Sequence, residues 1–224
     1  MTQDQRVKLE WRDGVIPVSM QFDDPYFSLD NGLAETRHVF LAGNDLPVRF
    51  RDGFQVAELG FGTGLNMLAT LIAWRASGVS GRMRFTSFEA FPLPAQDIEK
   101  ALVAFPEVNE VAGDFLGAWA QGKARFDLGD FEVDVRIGDA RSTLSAWNRA
   151  ADAWFLDGFS PAKNPELWEK HVLLEVGKHT APGGTVATYT AAGDVRRALT
   201  AAGFTVERTP GFGRKRHMTR GVKS

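Results

Sequence analysis

The sequence predicts an α/β fold whose core is a mainly parallel sheet of seven strands closed by a terminal antiparallel hairpin, and three observations carry that expectation. From residue 54 onward short apolar runs alternate with stretches of helical period, the pattern of strands joined by crossover helices. One run, Val56-Ala-Glu-Leu59, breaks into Gly60-Phe-Gly-Thr-Gly64 and then changes period, with Leu65, Leu68, Ala69, Leu71 and Ile72 on one helical face. Acids stand where several runs end, at Glu89, Asp139 and Asp157, and the carboxyl ends of strands are where open α/β sheets bind ligands.

The glycine turn is the most informative element. Gly60, Gly62 and Gly64 lack a Cβ, so the backbone can take left-handed angles and a ligand can lie against it beside the free N–H groups of a helix start. The spacing G-x-G-x-G differs from the G-x-G-x-x-G of dinucleotide folds, and no Gly-Lys-Ser/Thr follows, which excludes a P-loop. Glu58, two residues before the first glycine, would repel a pyrophosphate but suits a cation such as the sulfonium and ammonium of S-adenosylmethionine. That reading makes the chain a Rossmann-like class I methyltransferase, with Glu58, Gly60, Phe61, Gly62, Gly64 and Asn66 against the donor. An ordinary tight turn of a Rossmann-like fold would use the same glycines.

Composition sets the outer bounds. The 224 residues with 44% hydrophobic content make one domain or one domain with a small appendage. No run of about 18 apolar residues predicts a membrane span, and Met-Thr-Gln-Asp-Gln-Arg begins no signal peptide. With no Cys there is neither a disulfide framework nor a thiolate metal site, and the cytosol is the expected compartment. The net charge of −2 hides an uneven distribution: Arg208, Arg214, Lys215, Arg216, Arg220 and Lys223 fall in a C-terminal stretch without acids. Such an end binds phosphates or is simply a solvated, frayed terminus.

In chain order, residues 7–19 alternate around Arg12-Asp-Gly14 and read as a β-hairpin. Phe22-Asp-Asp-Pro-Tyr-Phe-Ser28 has no period and reads as a loop pinned by aromatics, or as a lid or substrate edge. Residues 33–42 are expected to be helical with Asn31 as cap. Residues 1–53 therefore form an N-terminal extension packed on a domain of residues 54–224. The second core strand, Arg82–Glu89, ends on an acid 25 residues beyond Gly64, the place of a ribose-binding carboxylate in doubly wound sheets. A helix is expected from Pro94 to Phe105, and another capped by Asp114 with Leu116 and Trp119 inward. Arg125–Leu128 and Phe131–Ile137 flank the turn pair Gly129-Asp130. Asp139 then either accepts a bond from an adenine amine or caps the helix that begins near Arg141. Ala153–Leu156 is a buried strand that opens into Asp157-Gly-Phe-Ser-Pro-Ala-Lys-Asn-Pro165, a restricted loop where Phe159 offers a stacking face. A helix over 166–179, a turn at Pro182-Gly-Gly, a strand Thr185–Thr190, a helix Val195–Ala202 and a strand from Phe204 lead to the closing hairpin around Pro210–Gly213.

Four motifs together resemble a known family. Phe22-Asp-Asp-Pro-Tyr-Phe-Ser, Glu58-Leu-Gly-Phe-Gly-Thr-Gly-Leu-Asn, Phe155-Leu-Asp-Gly-Phe-Ser-Pro-Ala-Lys-Asn-Pro-Glu-Leu-Trp168 and Gly211-Phe-Gly-Arg-Lys-Arg-His-Met218 are similar to the methyltransferase domain of MnmC and its stand-alone relatives, MnmD. The resemblance implies S-adenosylmethionine-dependent methylation of the primary amine of 5-aminomethyl-(2-thio)uridine at the tRNA wobble position. Bifunctional members add a flavin-dependent oxidase. This chain ends at Ser224 without a second dinucleotide fingerprint, so it is expected to be a stand-alone enzyme or an excised half, with no flavin and no metal.

On that resemblance the roles divide. Glu89 takes the donor's ribose and Asp139 its adenine. Asp157 binds the amine and accepts its proton, unless it orients the loop or meets the donor's ammonium. Phe159 stacks on the base, while Lys163, Arg214, Lys215 and Arg216 grip phosphates of the tRNA anticodon stem-loop. A monomer away from any membrane is expected. Two rivals remain open: an aminopropyl transferase of the polyamine-synthase kind, and a noncatalytic RNA-binding protein with a vestigial pocket.

Overall fold

A computed structural model of the chain describes residues 7–28 and 31–224, so the opening segment read above as no signal peptide lies outside the described residues. The N-terminal extension begins as the expected hairpin, β1 (Leu9–Arg12) antiparallel to β2 (Ile16–Ser19). The aromatic-acidic stretch, expected to be a loop, also gives β3 (Asp24–Pro25) to this small sheet. Asn31 caps α1 (Gly32–Glu35), its side-chain oxygen accepting the Ala34 amide at 2.9 Å. The helix continues as a widened π-turn, Thr36–Leu41, and tightens into a 3-10 turn at Ala42–Asn44.

The large sheet has eight strands. They are β4 (Gln55–Leu59), β5 (Met83–Glu89), β6 (Arg125–Asp127), β7 (Phe131–Ile137), β8 (Ala151–Leu156), β9 (Thr180–Thr188), β10 (Phe204–Pro210) and β11 (His217–Lys223). Their order is β10-β11-β9-β8-β4-β5-β7-β6. The pairs β4–β5, β4–β8, β5–β7 and β8–β9 are parallel, and β10 with β11 forms the antiparallel closing hairpin. One strand more than the expected seven arises because the Gly129-Asp130 turn folds β6 back antiparallel on β7 as an edge. The chain leaves β4 toward β5 on one side and β8 lies on the other, so a crevice opens at the carboxyl ends of these central strands.

Helices cover both faces: α2 (Leu65–Ser77), α3 (Ala95–Leu102), α4 (Pro106–Asn109), α5 (Gly113–Ala120), α6 (Ala140–Thr143), α7 (Lys170–Lys178) and α8 (Gly193–Ala201). Three local expectations are corrected. Asp114 does not cap α5; Ala112 holds that position without a side-chain bond, and Asp114 lies in the first turn. The helix over 166–179 is divided into a 3-10 turn, Pro165–Trp168, and α7, with the Trp168 indole N–H donating to the Phe159 carbonyl at 2.8 Å. Pro182-Gly-Gly does not separate elements but lies inside β9 as an irregularity: Ala151 pairs with Thr180 and Ala153 with Thr185, with Gly183 at φ +70°.

The extension shares the core. Leu33, Val39, Phe40 and Leu41 are buried in the same apolar cluster as Val56 and Phe155. Each such side chain contributes roughly 1.5–3 kcal/mol, so the segment is fastened to the sheet and brings Glu35 and Thr36 to its ligand-binding edge.

Candidate functional site

A cavity of about 570 Å³ opens at the carboxyl edge of the sheet, between the glycine turn, the ends of β5 and β8, the extension and the turn before β11. The turn after β4 has the geometry its glycines allow: φ is +83° at Gly60, +55° at Gly62 and +74° at Gly64. Close packing adds a second demand at Gly60, where a Cβ would lie 3.0 Å from the Gly158 Cα of the β8 loop. The turn and the Asp157 loop are thereby pressed together.

Glu89 ends β5 and is buried at the cavity wall. Its Oε2 accepts the Gly62 N–H at 2.9 Å and its Oε1 the Phe91 N–H at 2.7 Å. Burial raises its proton affinity while these backbone bonds oppose the rise. The Phe61 and Ala90 amides also act on this carboxylate, which therefore sits among backbone N–H groups at the cavity wall.

Asp157 follows β8. Its Oδ1 accepts the Gly158 N–H at 2.8 Å and its Oδ2 an Asn66 Nδ2 proton at 2.7 Å. Burial pushes this carboxyl up to about 6, with the Glu35 charge adding to the rise and Lys215 opposing it. Asn66, in the first turn of α2, is the junction of the site. Its other amide proton goes to Glu58 Oε1 at 2.9 Å, and its carbonyl accepts the Thr36 hydroxyl at 2.7 Å. Both of its amide protons are thus spent on the two acids, and its carbonyl is held by Thr36.

Glu58 itself does not line the cavity. It is fully buried beneath the turn, bonded to Asn66 and to the Ser87 hydroxyl at 2.7 Å, and burial drives its carboxyl well above the ordinary range. The motif acid therefore reaches the cavity through Asn66, because β4 is a central strand buried along its whole length on both faces and Glu58 is enclosed on the face it shares with Val56. Gly64 lies under Phe61 and Phe115 rather than at the cavity surface, whereas Gly60, Phe61 and Gly62 line it.

Asp139 lines the cavity and also caps α6, where its Oδ1 accepts the Arg141 N–H at 2.8 Å and both its oxygens take the Arg141 guanidinium. Of the two roles left open for it, the cap is the one drawn by these bonds. Phe159 lines the cavity with one face covered, stacked on Phe22 at 4.6 Å and edge-on to Tyr26 at 5.0 Å. Lys163 turns away from the cavity, donating to Asp23 and lying 3.8 Å from Asp24, so it ties the β8 loop to the extension. Arg214 and Lys215 line the mouth; Arg216 stands exposed beside them, outside the lining.

Sequence reasoning missed Glu35, Thr36 and Tyr189, all of which line the cavity together with Tyr26 of the aromatic-acidic stretch. Tyr189 stands just past β9 and donates its hydroxyl to the Gly158 carbonyl at 2.8 Å. Among the described residues no cluster of three or more His, Asp or Glu is arranged to hold a metal ion, and no helix is long and apolar enough to cross a membrane.

Residues 105–224 match a family model described as S-adenosyl-L-methionine-dependent methyltransferase. A protein of Caulobacter sp. (strain K31) named tRNA 5-methylaminomethyl-2-thiouridine biosynthesis bifunctional protein MnmC is 48% identical over 96% of this chain. A protein of the same name from Leptospira borgpetersenii is 45% identical over 96% of the chain. The chain spans 38% and 35% of the lengths of these two relatives. Among solved structures, MnmC2 from Aquifex aeolicus superposes with a TM-score of 0.80 at 25% identity, covering 97% of this chain and 71% of that one. TrmN from Thermus thermophilus, at 20% identity and a TM-score of 0.51, covers 82% of this chain and 47% of that one and supports the fold alone.

Proposed function

Because the chain belongs to this family of S-adenosyl-L-methionine-dependent methyltransferases, we propose that it methylates the primary amine of 5-aminomethyl-(2-thio)uridine at the tRNA wobble position. The observation that carries the reading is the Asp157 carboxylate, fixed by Asn66 and Gly158 inside the cavity and next to the glycine turn. The names of the relatives supply the substrate class, and the aminopropyl-transfer and noncatalytic readings draw no support from them.

The residues present fit the donor. Glu89 presents a buried carboxylate at the cavity wall to ribose hydroxyls, and the glycine turn leaves Gly60 and Gly62 at the cavity surface where the donor's amino-acid part can approach the backbone. When bound, the donor supplies a methyl already activated on a sulfonium, so transfer chiefly needs alignment.

The chain's own residues then act on the amine. Asp157 accepts a hydrogen bond from it and takes the proton it sheds, directly or through water. At neutral pH a carboxyl poised at about 6 is mostly ionised and yet basic enough to receive that proton. Asn66 holds the receiving oxygen in place. Phe159, backed by Phe22, forms an aromatic wall for the base. Arg214 and Arg216, on the exposed turn at the mouth, contact anticodon phosphates. We infer further that the chain works as a monomer in the cytoplasm.

Asp157→Asn tests the reading. The amide keeps the shape but loses the charge, so turnover is expected to fall by about 10²–10⁴-fold, the usual worth of a general base, with donor affinity by calorimetry retained. The kcat/KM limb near pH 6 disappears with it. Loss of donor binding with single-turnover chemistry intact would instead assign Asp157 to the donor site.

A further inference from the structure

Lys215 does not point toward solvent as a phosphate-gripping residue would. Its Nζ lies 2.8 Å from Glu35 Oε1 and 4.0 Å from the centroid of the Tyr189 ring. Glu35 is only 12% exposed in its side chain, and all three residues line the cavity that also holds Asp157. A carboxylate beside an aromatic face is the chemistry that recognises a compact ammonium, through a charge-assisted hydrogen bond and a cation–π contact. The cation now in that place comes from the chain itself, presented by the turn between β10 and β11.

That turn is held to one course. Lys215 N–H donates to the Phe212 carbonyl at 3.0 Å, and a Cβ at Gly211 would run into the Lys215 carbonyl oxygen, so only glycine fits there. On the other side, Glu35 closes α1, a helix anchored in the apolar core by Leu33. Two well-anchored walls thus meet through a single flexible side chain. The Lys215 stem has four rotatable carbons and its side chain is 44% exposed, so its ammonium can leave the seat without moving the backbone.

We propose that Glu35 and the Tyr189 ring form a seat for a primary alkylammonium, and that Lys215 fills this seat until the substrate's own aminomethyl cation displaces it. This deepens the reading of the chain as an amine methyltransferase and rests on it. The substrate enters charged and is recognised as a cation by Glu35 and Tyr189. Asp157, in the same cavity, then receives its proton. A neutral uridine without an amine has nothing with which to displace Lys215, so the exchange also selects the modified base.

Methylammonium chloride is the probe, titrated by saturation-transfer NMR into the full chain, Lys215→Met and the double variant Lys215→Met/Glu35→Gln, without tRNA or donor. The Met variant keeps an apolar stem and vacates the seat, so methylammonium should bind it at least about tenfold more tightly than the wild type, the worth of one charge-assisted hydrogen bond. The double variant should lose that gain, and Lys215→Met/Glu35→Asp should keep part of it. In turnover, Glu35→Gln should raise the Michaelis constant for undermodified tRNA by about tenfold with donor affinity unchanged. Circular dichroism checks that each variant folds. If Lys215→Met gains no methylammonium binding, or the gain survives in the double variant, the seat does not exist. If Lys215→Met only raises the tRNA Michaelis constant and flattens its salt dependence, Lys215 is a phosphate contact and the proposal is overturned. Because the titration needs no turnover, a failed methylation assay with intact methylammonium binding would sink the tRNA reading and leave the seat standing.

Discussion

Replacing Asn66 by Ala removes the junction of the site and should do so with a pH signature. Three hydrogen bonds go at once: to Glu58 at 2.9 Å, to Asp157 at 2.7 Å and from Thr36 at 2.7 Å. A bond to an ionised group contributes about 1.5–3 kcal/mol and a neutral one about 0.5–1.5, so the charged form of Asp157 loses about 1–1.5 kcal/mol more than the neutral form. That difference is about one pKa unit, and the Asp157 limb in kcat/KM should move from about 6 to about 7. The sign for stability follows from the same quantity. Burial holds the Asp157 carboxyl above its ordinary 3.8, so the folded chain keeps this proton more tightly than the unfolded one. Its contribution to stability is complete below the ordinary value and is lost as pH rises through about 6. In Asn66→Ala the loss extends to higher pH, so the penalty read from urea denaturation should be larger at about pH 8 than at about pH 5 by roughly 1–1.5 kcal/mol. An equal penalty at both values, or a limb that stays in place, would refute the role given to Asn66.

Glu89→Gln removes the charge that favours ribose hydroxyls while keeping the volume, and donor affinity measured by calorimetry should weaken by about 10-fold or more; an effect below about twofold would take Glu89 out of the donor site. The double variant Arg214→Ala/Arg216→Ala should raise the Michaelis constant for tRNA and flatten its dependence on salt by about one to two phosphate contacts, with donor affinity untouched. An unaltered salt slope would return this turn to an ordinary solvated loop.

What could be read from the sequence was what local chemistry decides. Glu89 and Asp157 stand at the ends of apolar runs, and the glycines between Leu59 and Leu65 change the period of the chain, so strand, turn and helix follow from neighbours alone. The parts that escaped depend on residues far apart. Glu35 and Lys215 are 180 positions apart, and nothing in either segment announces the other. The resemblance assigns Lys163 to phosphate, whereas the structure pairs its ammonium with Asp23 and Asp24 of the extension, 140 positions from Asp23 in the chain. Glu58 belongs to the motif as expected, yet β4 is buried along its whole length, and only Asn66, in the first turn of the helix after the glycines, relays it to the cavity. The short edge strand β6 is legible through its turn: Gly129-Asp130 pairs Arg125–Asp127 with β7, and only its place in the sheet, as an eighth strand, lies beyond the local pattern.

The central claim is that this cavity transfers a methyl group to a primary amine on tRNA, with Asp157 as the base. Its most direct test is mass spectrometry of wobble nucleosides after the wild-type chain is incubated with S-adenosylmethionine and tRNA bearing 5-aminomethyl-2-thiouridine. This nucleoside should gain the mass of one methyl group on its amine, tRNA bearing unmodified uridine should gain nothing, and Asp157→Asn should leave the aminomethyl form in place over the same time. Methylation at any other position, or equal conversion by Asp157→Asn at the same pH, would contradict it.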